Sequence, residues 1–577
     1  MNLFYKNFSA RMAAAILCAQ ILTGCSKEQE PGQSLSDGAT LSVSVLGVTD
    51  AEEISSIDDK KTSSVKSTVN PQTASSKEMQ FDGFDALVSV ERDVEEKSKI
   101  SVGSSSKGAS GDLMAAAVPV GVRYRLLFYK SDGTFVKSAL LTSGTAGQLT
   151  IPKGATYNWS AISYNNTGSI PDINPANPTL TLPANRDVLY AKGTINIPAN
   201  AADGTTPLGI VFNHRLARIG IELNTMGMFA NMNSAGVTVS GALAKTGTIN
   251  LRTGALSNLT NYTTGITYSS FTNVDPLYSD RKIAYFYTAD STANTNLVVS
   301  LNALSIQLDT NTPRVFTNLG TAPASFTFSI TPVLGRGYRA VINLLESPIP
   351  LGGVRWARNN LYYNGAGHNP YRFQHTYRAN SNTNSFFSYR GTLPERFATG
   401  GASGGGDPCA LVYPQGVWRQ PTTTDFNALA GVNILGLSAL GARAVTFGTD
   451  ATGSYYQYDL GSGVPATSTP YPDNRLRFYL NGNGSAVSLV EDLARVTIVN
   501  GATELHLWSS SSLLNIPLLG AGVGAYYFEG TITSDLFGNP LYNRRQNAQI
   551  LNISAVGLAV AQSDFKNVRC VRAAAAI

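Results

Sequence analysis

The stretch Tyr362-Tyr363-Asn364-Gly365-Ala366-Gly367-His368-Asn369-Pro370-Tyr371-Arg372-Phe373-Gln374-His375 gathers side chains suited to recognition. Tyr362 and Tyr371 offer flat aromatic faces of the kind that stack on sugar rings, while His368, Arg372 and His375 offer directional hydrogen bonds. The plainer reading makes Tyr362, Tyr371 and Phe373 core and leaves His368 merely exposed; for any single residue that is the commoner outcome. Asn213-His214-Arg215 is a second polar group, read as structural because a lone His between two strands usually satisfies a local partner. The chain has four His and four Cys, and none cluster at metal-ligand spacing, so no zinc site is expected. No acidic loop is dense enough to assign calcium. Neither a nucleophile elbow nor a catalytic carboxylate pair stands out. The expectation is a binding protein, not an enzyme, with no cofactor.

At the N-terminus, Lys6 and Arg11 precede the apolar run Met12 to Leu22. At about a dozen residues it is too short to cross a hydrocarbon core of roughly 30 Å, and reads as a signal peptide. Leu22-Thr23-Gly24-Cys25 resembles the lipobox of bacterial lipoproteins, which implies cleavage before Cys25 and acylation of its thiol. Residues 1–24 are then the signal and 25–39 a polar tether. Cys18 leaves with the signal and Cys25 carries lipid, so Cys409 and Cys570 remain as candidates for pairing, the alternative being two buried thiols. Within one domain, a bridge closing so long a loop would stabilise by roughly 5 kcal/mol in the chain-entropy picture.

A chain of 577 residues exceeds what one core usually serves, which predicts two or three domains. Charged residues are only 14%, Gly numbers 54, and short apolar alternations recur, the pattern of an exported all-β protein. A formal net charge of +5 without a basic block gives no reason to expect nucleic-acid binding. Leu41 to Leu46 and Phe84 to Val90 alternate as strands, separated by the polar, mobile stretch Thr49 to Gln80, and Glu95 to Asp112 is a second soft segment. Tyr124 to Tyr129 meets Phe135 across a turn containing Asp132-Gly133. Tyr157 to Asn166 is a strand whose Trp159 and Ile162 break alternation, through a bulge or burial on both faces. Thr423 or Thr424 is placed to cap a helix with Asp425 in its first turn and Phe426 and Leu429 facing inward.

Taken in order, the lipobox, the strand before a soft loop, Tyr-x-Trp-x-Ala-x-Ser-Tyr-Asn and Phe-x-His-x-x-Ala-Arg-Ile resemble the fimbrillin superfamily of Bacteroidales type V pili, over about Ser34 to Leu345. From Val354 to Arg572, Asp-Pro-Cys (407–409), Trp-Arg-x-Pro-Thr (418–422), Trp-Ser-Ser (508–510) and Val-Arg-Cys-Val (568–571) resemble the C-type-lectin-like modules of exported Bacteroidetes proteins. The two resemblances imply a mostly β chain: transthyretin-like sandwiches at 40–235, with the cleavable loop 49–80, and at 236–346, then an α+β lectin-like domain at 351–577 with Cys409 paired to Cys570. They also imply proteolysis of the first strand, with Lys60, Lys61, Lys66, Lys77 or Arg92 as candidate sites, and donor-strand exchange with other pilus subunits. The carboxy-terminal segment, locked by Cys570, then suits a tip carrying a glycan- or protein-binding head, made from an acylated outer-membrane precursor. The alternative is a lipid-anchored surface receptor that never polymerises.

Overall fold

The computed structural model describes residues 38–50, 77–93, 98–101, 112–201, 205–241, 243–292, 294–365, 367–375, 383–396, 406–429, 433–434, 437–438, 445–460, 475–485, 496–516, 521–538, 540–550 and 564–573. Cys25, Lys60, Lys61 and Lys66 lie outside them. The described chain is mostly β.

Alternation builds the first core. Ala39, Leu41 and Val43 on strand Gly38–Thr49 turn inward every second residue until the register shifts between Val45 and Gly47. The strand runs parallel to Thr205–His214 and antiparallel to Gly147–Pro152. In sheet order the seven strands are 135–142, 123–130, 155–163, 189–197, 205–214, 38–49 and 147–152. The sheet is rolled. Tyr124 and Phe212 stand three strands apart, about 14 Å in a flat sheet, yet their rings lie 5.9 Å apart edge to face. Lys137 and Thr150, on the two edge strands, are joined by a 3.1 Å hydrogen bond.

Strand Ala155–Ser163 pairs on both sides without a register shift. Its broken alternation therefore comes from burial on both faces: Ala161 packs inside the roll and Ile162 packs outside it, against Leu180, Ile249 and Leu251. The turn at Asp132-Gly133 forms with Gly133 alone of the pair at positive φ, +90°, and Tyr129 stands opposite Phe135. At the two ends of the second soft segment, Ser98–Ser101 and Asp112–Ala115 pair antiparallel, two four-residue runs too short to register as strands in the sequence.

The second unit is a sandwich. A six-stranded sheet, ordered 272–273, 281–288, 217–227, 337–346, 84–92 and 77–81, faces a sheet of 231–240, 294–307, 313–315 and 324–330 across one apolar core. A division at 235/236 cuts through this arrangement. Strands 77–81, 84–92 and 217–227 belong to the second sheet, while 245–250 and 256–261 pair in the small sheet covering the outside of the first. Only residues 215–216 separate the strands ending at His214 and starting at Ala217, so no composition shift marks the crossing. Both ends of the expected loop 49–80 are also strand: Thr49 is buried, and Lys77 opens the edge strand Lys77–Phe81.

Beyond Ile349, the described residues form small sheets, 3-10 turns and one four-residue α-helix, Thr423–Phe426. Thr422, not Thr423 or Thr424, caps that helix, because Asp425 stands at its third position and closes a reciprocal capping box. Phe426 and Leu429 face inward as expected. Cys409 and Cys570 are joined, with Cα atoms 5.7 Å apart, in a core with Trp418, Trp508 and Phe387. Phe229 of the second unit enters the same core, edge to face with Phe373 at 5.2 Å.

An ionic cluster fastens this region to the sandwich. Arg572 Nη2 lies 2.9 Å from Asp85 Oδ2 and donates to the Glu346 carbonyl at 2.9 Å, and its guanidinium sits 4.2 Å from the Trp418 ring centre. Arg355 bridges Asp85 at 3.0 Å and Glu78. Burial pushes the Asp85 carboxyl up to about 6 against the pull of the two guanidinium groups. Removing Arg572 leaves the buried Asp85 carboxylate with the more exposed Arg355 as its remaining guanidinium. Arg572→Met is therefore expected to cost about 3 kcal/mol in urea unfolding, and adding Asp85→Leu should recover much of it. A single-variant loss below about 1 kcal/mol would show that the pair is not holding the two units together.

Candidate functional site

The recognition stretch folds as a hairpin. Leu361–Tyr363 pairs with Tyr371–Phe373, placing Tyr362 opposite Arg372 and Tyr363 opposite Tyr371. Gly365 and Asn369 take left-handed φ values of +80° and +50°, which the Gly- and Asn-rich loop accommodates. The hairpin leans on the sandwich: Asn369 Nδ2 donates to the Met226 carbonyl at 2.8 Å, and Arg372 donates to that of Phe229.

Between hairpin and sandwich lies an open cleft of about 620 Å³. The hairpin contributes Tyr362, Asn364, His368 and Arg372, and the sandwich contributes Asn231, Tyr278, Asp280 and Asp309. Two carboxylates organise it. Asp280, just before strand Arg281–Thr288, meets His368 Nε2 at 2.6 Å, while the His368 ring stacks on Tyr278 with centroids 3.8 Å apart and planes 9° apart. Asp309, in the turn after strand Asn294–Gln307, accepts from the Tyr362 hydroxyl at 2.5 Å and pairs with Arg372 Nη1 at 3.1 Å.

His375 lies beneath this cluster. The Asp309 backbone N–H donates to its Nδ1 at 2.9 Å, which makes that nitrogen an acceptor and leaves the proton on Nε2. Burial pulls the imidazole down to about 4. The 3.5 Å approach of Nδ1 to Asp309 Oδ2 is thus not an ion pair at neutral pH.

Of the five sequence candidates, Tyr362, His368 and Arg372 line the cleft. Tyr371 is half-buried and packs edge to face on Tyr363 at 5.2 Å, with burial pushing its hydroxyl up to about 12. Tyr362 and Phe373 are buried, so the plainer reading holds for them, and His375 is buried as well. The sandwich half, Tyr278, Asp280 and Asp309, gave no local signal beyond sitting in polar turns. Asn213-His214-Arg215 is structural: His214 Nδ1 meets Asp187 at 2.9 Å, and Arg215 Nε donates to the Gly254 carbonyl at 2.7 Å. Lys77 is exposed at the start of an edge strand, whereas Arg92 is laddered to Tyr338 with its guanidinium 5.6 Å from that ring centre. Among the described residues no group of three or more His, Cys, Asp or Glu is arranged to hold a metal ion.

No family model matches the chain, and no curated protein matches its sequence. Among solved structures, the chain is similar to the fimbrial anchor protein Mfa2 from Porphyromonas gingivalis, at 14% identity and a TM-score of 0.21, over 32% of this chain and 71% of that one. It is also similar to a fimbrial assembly protein from Parabacteroides distasonis, at 13% identity and a TM-score of 0.21, over 38% of this chain and 82% of that one.

The buried His375 makes the floor of the cleft sensitive to acid. Its folded value of about 4 lies below the 6.5 of an unperturbed imidazole, so the unfolded chain binds more protons between those values. Stability fully present above about pH 6.5 is lost as pH falls toward 4, by up to about 3 kcal/mol. Denaturant unfolding at pH 7 and pH 5 should show the natural protein losing about 2 kcal/mol more than His375→Gln. Equal losses would mean that the imidazole is not held neutral.

Proposed function

We propose that this chain is a non-enzymatic adhesive subunit of a type V pilus, exported as an outer-membrane precursor acylated at Cys25 and placed at the fimbrial tip. The observation that carries this reading is the position of strand Gly38–Thr49. It fills a slot between Thr205–His214 and Gly147–Pro152 and delivers Ala39, Leu41, Val43 and Val48 to the core. Cutting the chain behind it and withdrawing it would leave two unpaired ladders and a row of alternate pockets. A partner subunit's strand fits such a slot by main-chain pairing, with its side chains refilling the pockets.

The segment 564–572 is poorly suited to be donated in turn. Asp564–Lys566 lies between Phe387–Ser388 and Asn483–Ser485, and Val571–Arg572 lies between Val354–Trp356 and Trp418–Arg419. The Cys570 disulfide sits between the two strands. Withdrawing either would dismantle the region that forms half of the cleft. A subunit that accepts a strand and gives none belongs at the end of a filament. The cleft, with its Tyr, His, Asn, Arg and Asp side chains, is where a glycan or protein ligand would bind. The lectin-like reading of this region rests on its sequence motifs and on the Cys409–Cys570 bridge.

The second reading, a lipid-anchored receptor that never polymerises, shares the cleft and differs in the fate of the first strand. Amino-terminal sequencing and lipid analysis of protein from sheared filaments and from outer membranes separate the two. Filament-derived protein is expected to begin between Thr49 and Phe84 and to lack lipid. If every molecule recovered begins at acylated Cys25, the pilus reading is wrong and the receptor reading replaces it.

A further inference from the structure

Lys566 is buried in the core of the third region, with its side chain 2% exposed. Strand Asp564–Lys566 runs antiparallel to Asn483–Ser485, with Gly484 opposite Phe565 and Ser485 opposite Asp564, so the next step of the register sets Asn483 opposite Lys566. Directly opposed residues share a face of the sheet, and so do residues two apart on one strand. Lys566, Asn483 and Asp564 therefore converge. Lys566 Nζ donates to Asn483 Oδ1 at 3.0 Å and lies 3.5 Å from Asp564 Oδ2. Trp508 and Tyr527 close over the amine with ring centres at 4.7 and 4.4 Å. Gln549 Nε2 donates to the same Asp564 oxygen and steadies the carboxylate.

A buried amine held against a carboxamide, with a carboxylate beside the amine and aromatic rings over it, is an arrangement for acyl transfer. We propose that Lys566 and Asn483 condense into an intramolecular amide cross-link. The lone pair of Nζ attacks Asn483 Cγ and forms the Nζ–Cγ bond. The Cγ–Nδ2 bond breaks, Asp564 passes one proton from the attacking nitrogen to the departing one, and ammonia leaves. Nothing is oxidised or reduced and no further reactant enters.

The attack needs a neutral amine. Burial lowers Lys566 to about 8, so roughly a tenth of it is unprotonated at pH 7. That suffices for a reaction that happens once in the life of the molecule. The product would tie residue 566 to residue 483, four positions from the disulfide that ties 570 to 409. Two covalent links would then fix one short segment to two distant parts of the chain.

Peptide mapping of the purified full-length protein tests this. Trypsin is expected to leave Lys566 uncut and to yield a branched species joining residues 478–495 to 546–569, lighter than its parts by one ammonia beyond the water accounted for by the missed cleavage. Asn483→Ala and Asp564→Asn should each restore cleavage after Lys566 and abolish the branched species. Because the first result is read on the natural sequence, it does not depend on either variant folding. Unbranched 478–495 together with full cleavage after Lys566 in the natural protein would overturn the proposal and leave Lys566 as a buried, hydrogen-bonded ammonium.

Discussion

Arg572 and Asp85 are separated by most of the chain, yet their contact lies between the sandwich and the region beyond Ile349. Both side chains are buried, so the pair gains little over an apolar replacement but would be costly to break from one side. Its effect is one of placement. It sets the third region on the edge of the sandwich sheet that carries Phe84–Arg92, and Arg355 extends the grip to Glu78 on the outermost strand. Tyr413 adds a neutral contact, accepting from Asn224 at 2.6 Å and donating to Asn343 at 3.0 Å. With the two bodies held in this way, the hairpin at 361–373 comes down beside Asp280 and Asp309, and the cleft exists.

The cleft is therefore composite, and this explains its electrostatics. Taken alone, the hairpin would present a cationic arginine, a histidine and tyrosines. The sandwich supplies a carboxylate for each of the two basic groups, Asp280 for His368 and Asp309 for Arg372. The resulting surface is polar, with the Tyr278–His368 stack as a flat element within it. Such a wall offers many hydrogen-bond donors and acceptors beside an aromatic face.

Local features were legible in the sequence because local physics sets them. The alternation of Ala39, Leu41 and Val43, the Asp132-Gly133 turn and the inward Phe426 and Leu429 follow from residues within a few positions of one another. The helix cap lies one residue before Thr423 and two before Thr424, since the three threonines are equivalent until Asp425 selects a partner three residues before it. Unit boundaries were not legible, because a strand records which of its faces is apolar but not which sheet will pair with it. Strands 84–92 and 217–227 join one sheet through the intervening 337–346. The cleft was half legible for the same reason: the hairpin is contiguous, while Asp280 and Asp309 reach it only through tertiary packing.

The placement of Glu78 bears on how a cut and the cleft could coexist. The loop proposed for proteolysis ends where strand Lys77–Phe81 begins, and that strand is held at its outer end by Arg355. A cut among residues 51–76 would free Gly38–Thr49 and leave every contact of Glu78, Asp85, Arg355 and Arg572 in place. A cut after Lys77 would put a new ammonium on Glu78, the residue whose carboxylate pairs with Arg355, and would remove the first rung of the edge strand, Lys77 opposite Val88. A cut after Arg92 would fall in the ladder joining Arg92 to Tyr338 and separate Phe84–Arg92 from the chain that follows it. The more of the second sandwich a cut spares, the less it disturbs the ionic cluster that positions the cleft. By that criterion a cut among residues 51–76, where Lys60, Lys61 and Lys66 lie, is the one that could release the first strand while the cleft stays intact.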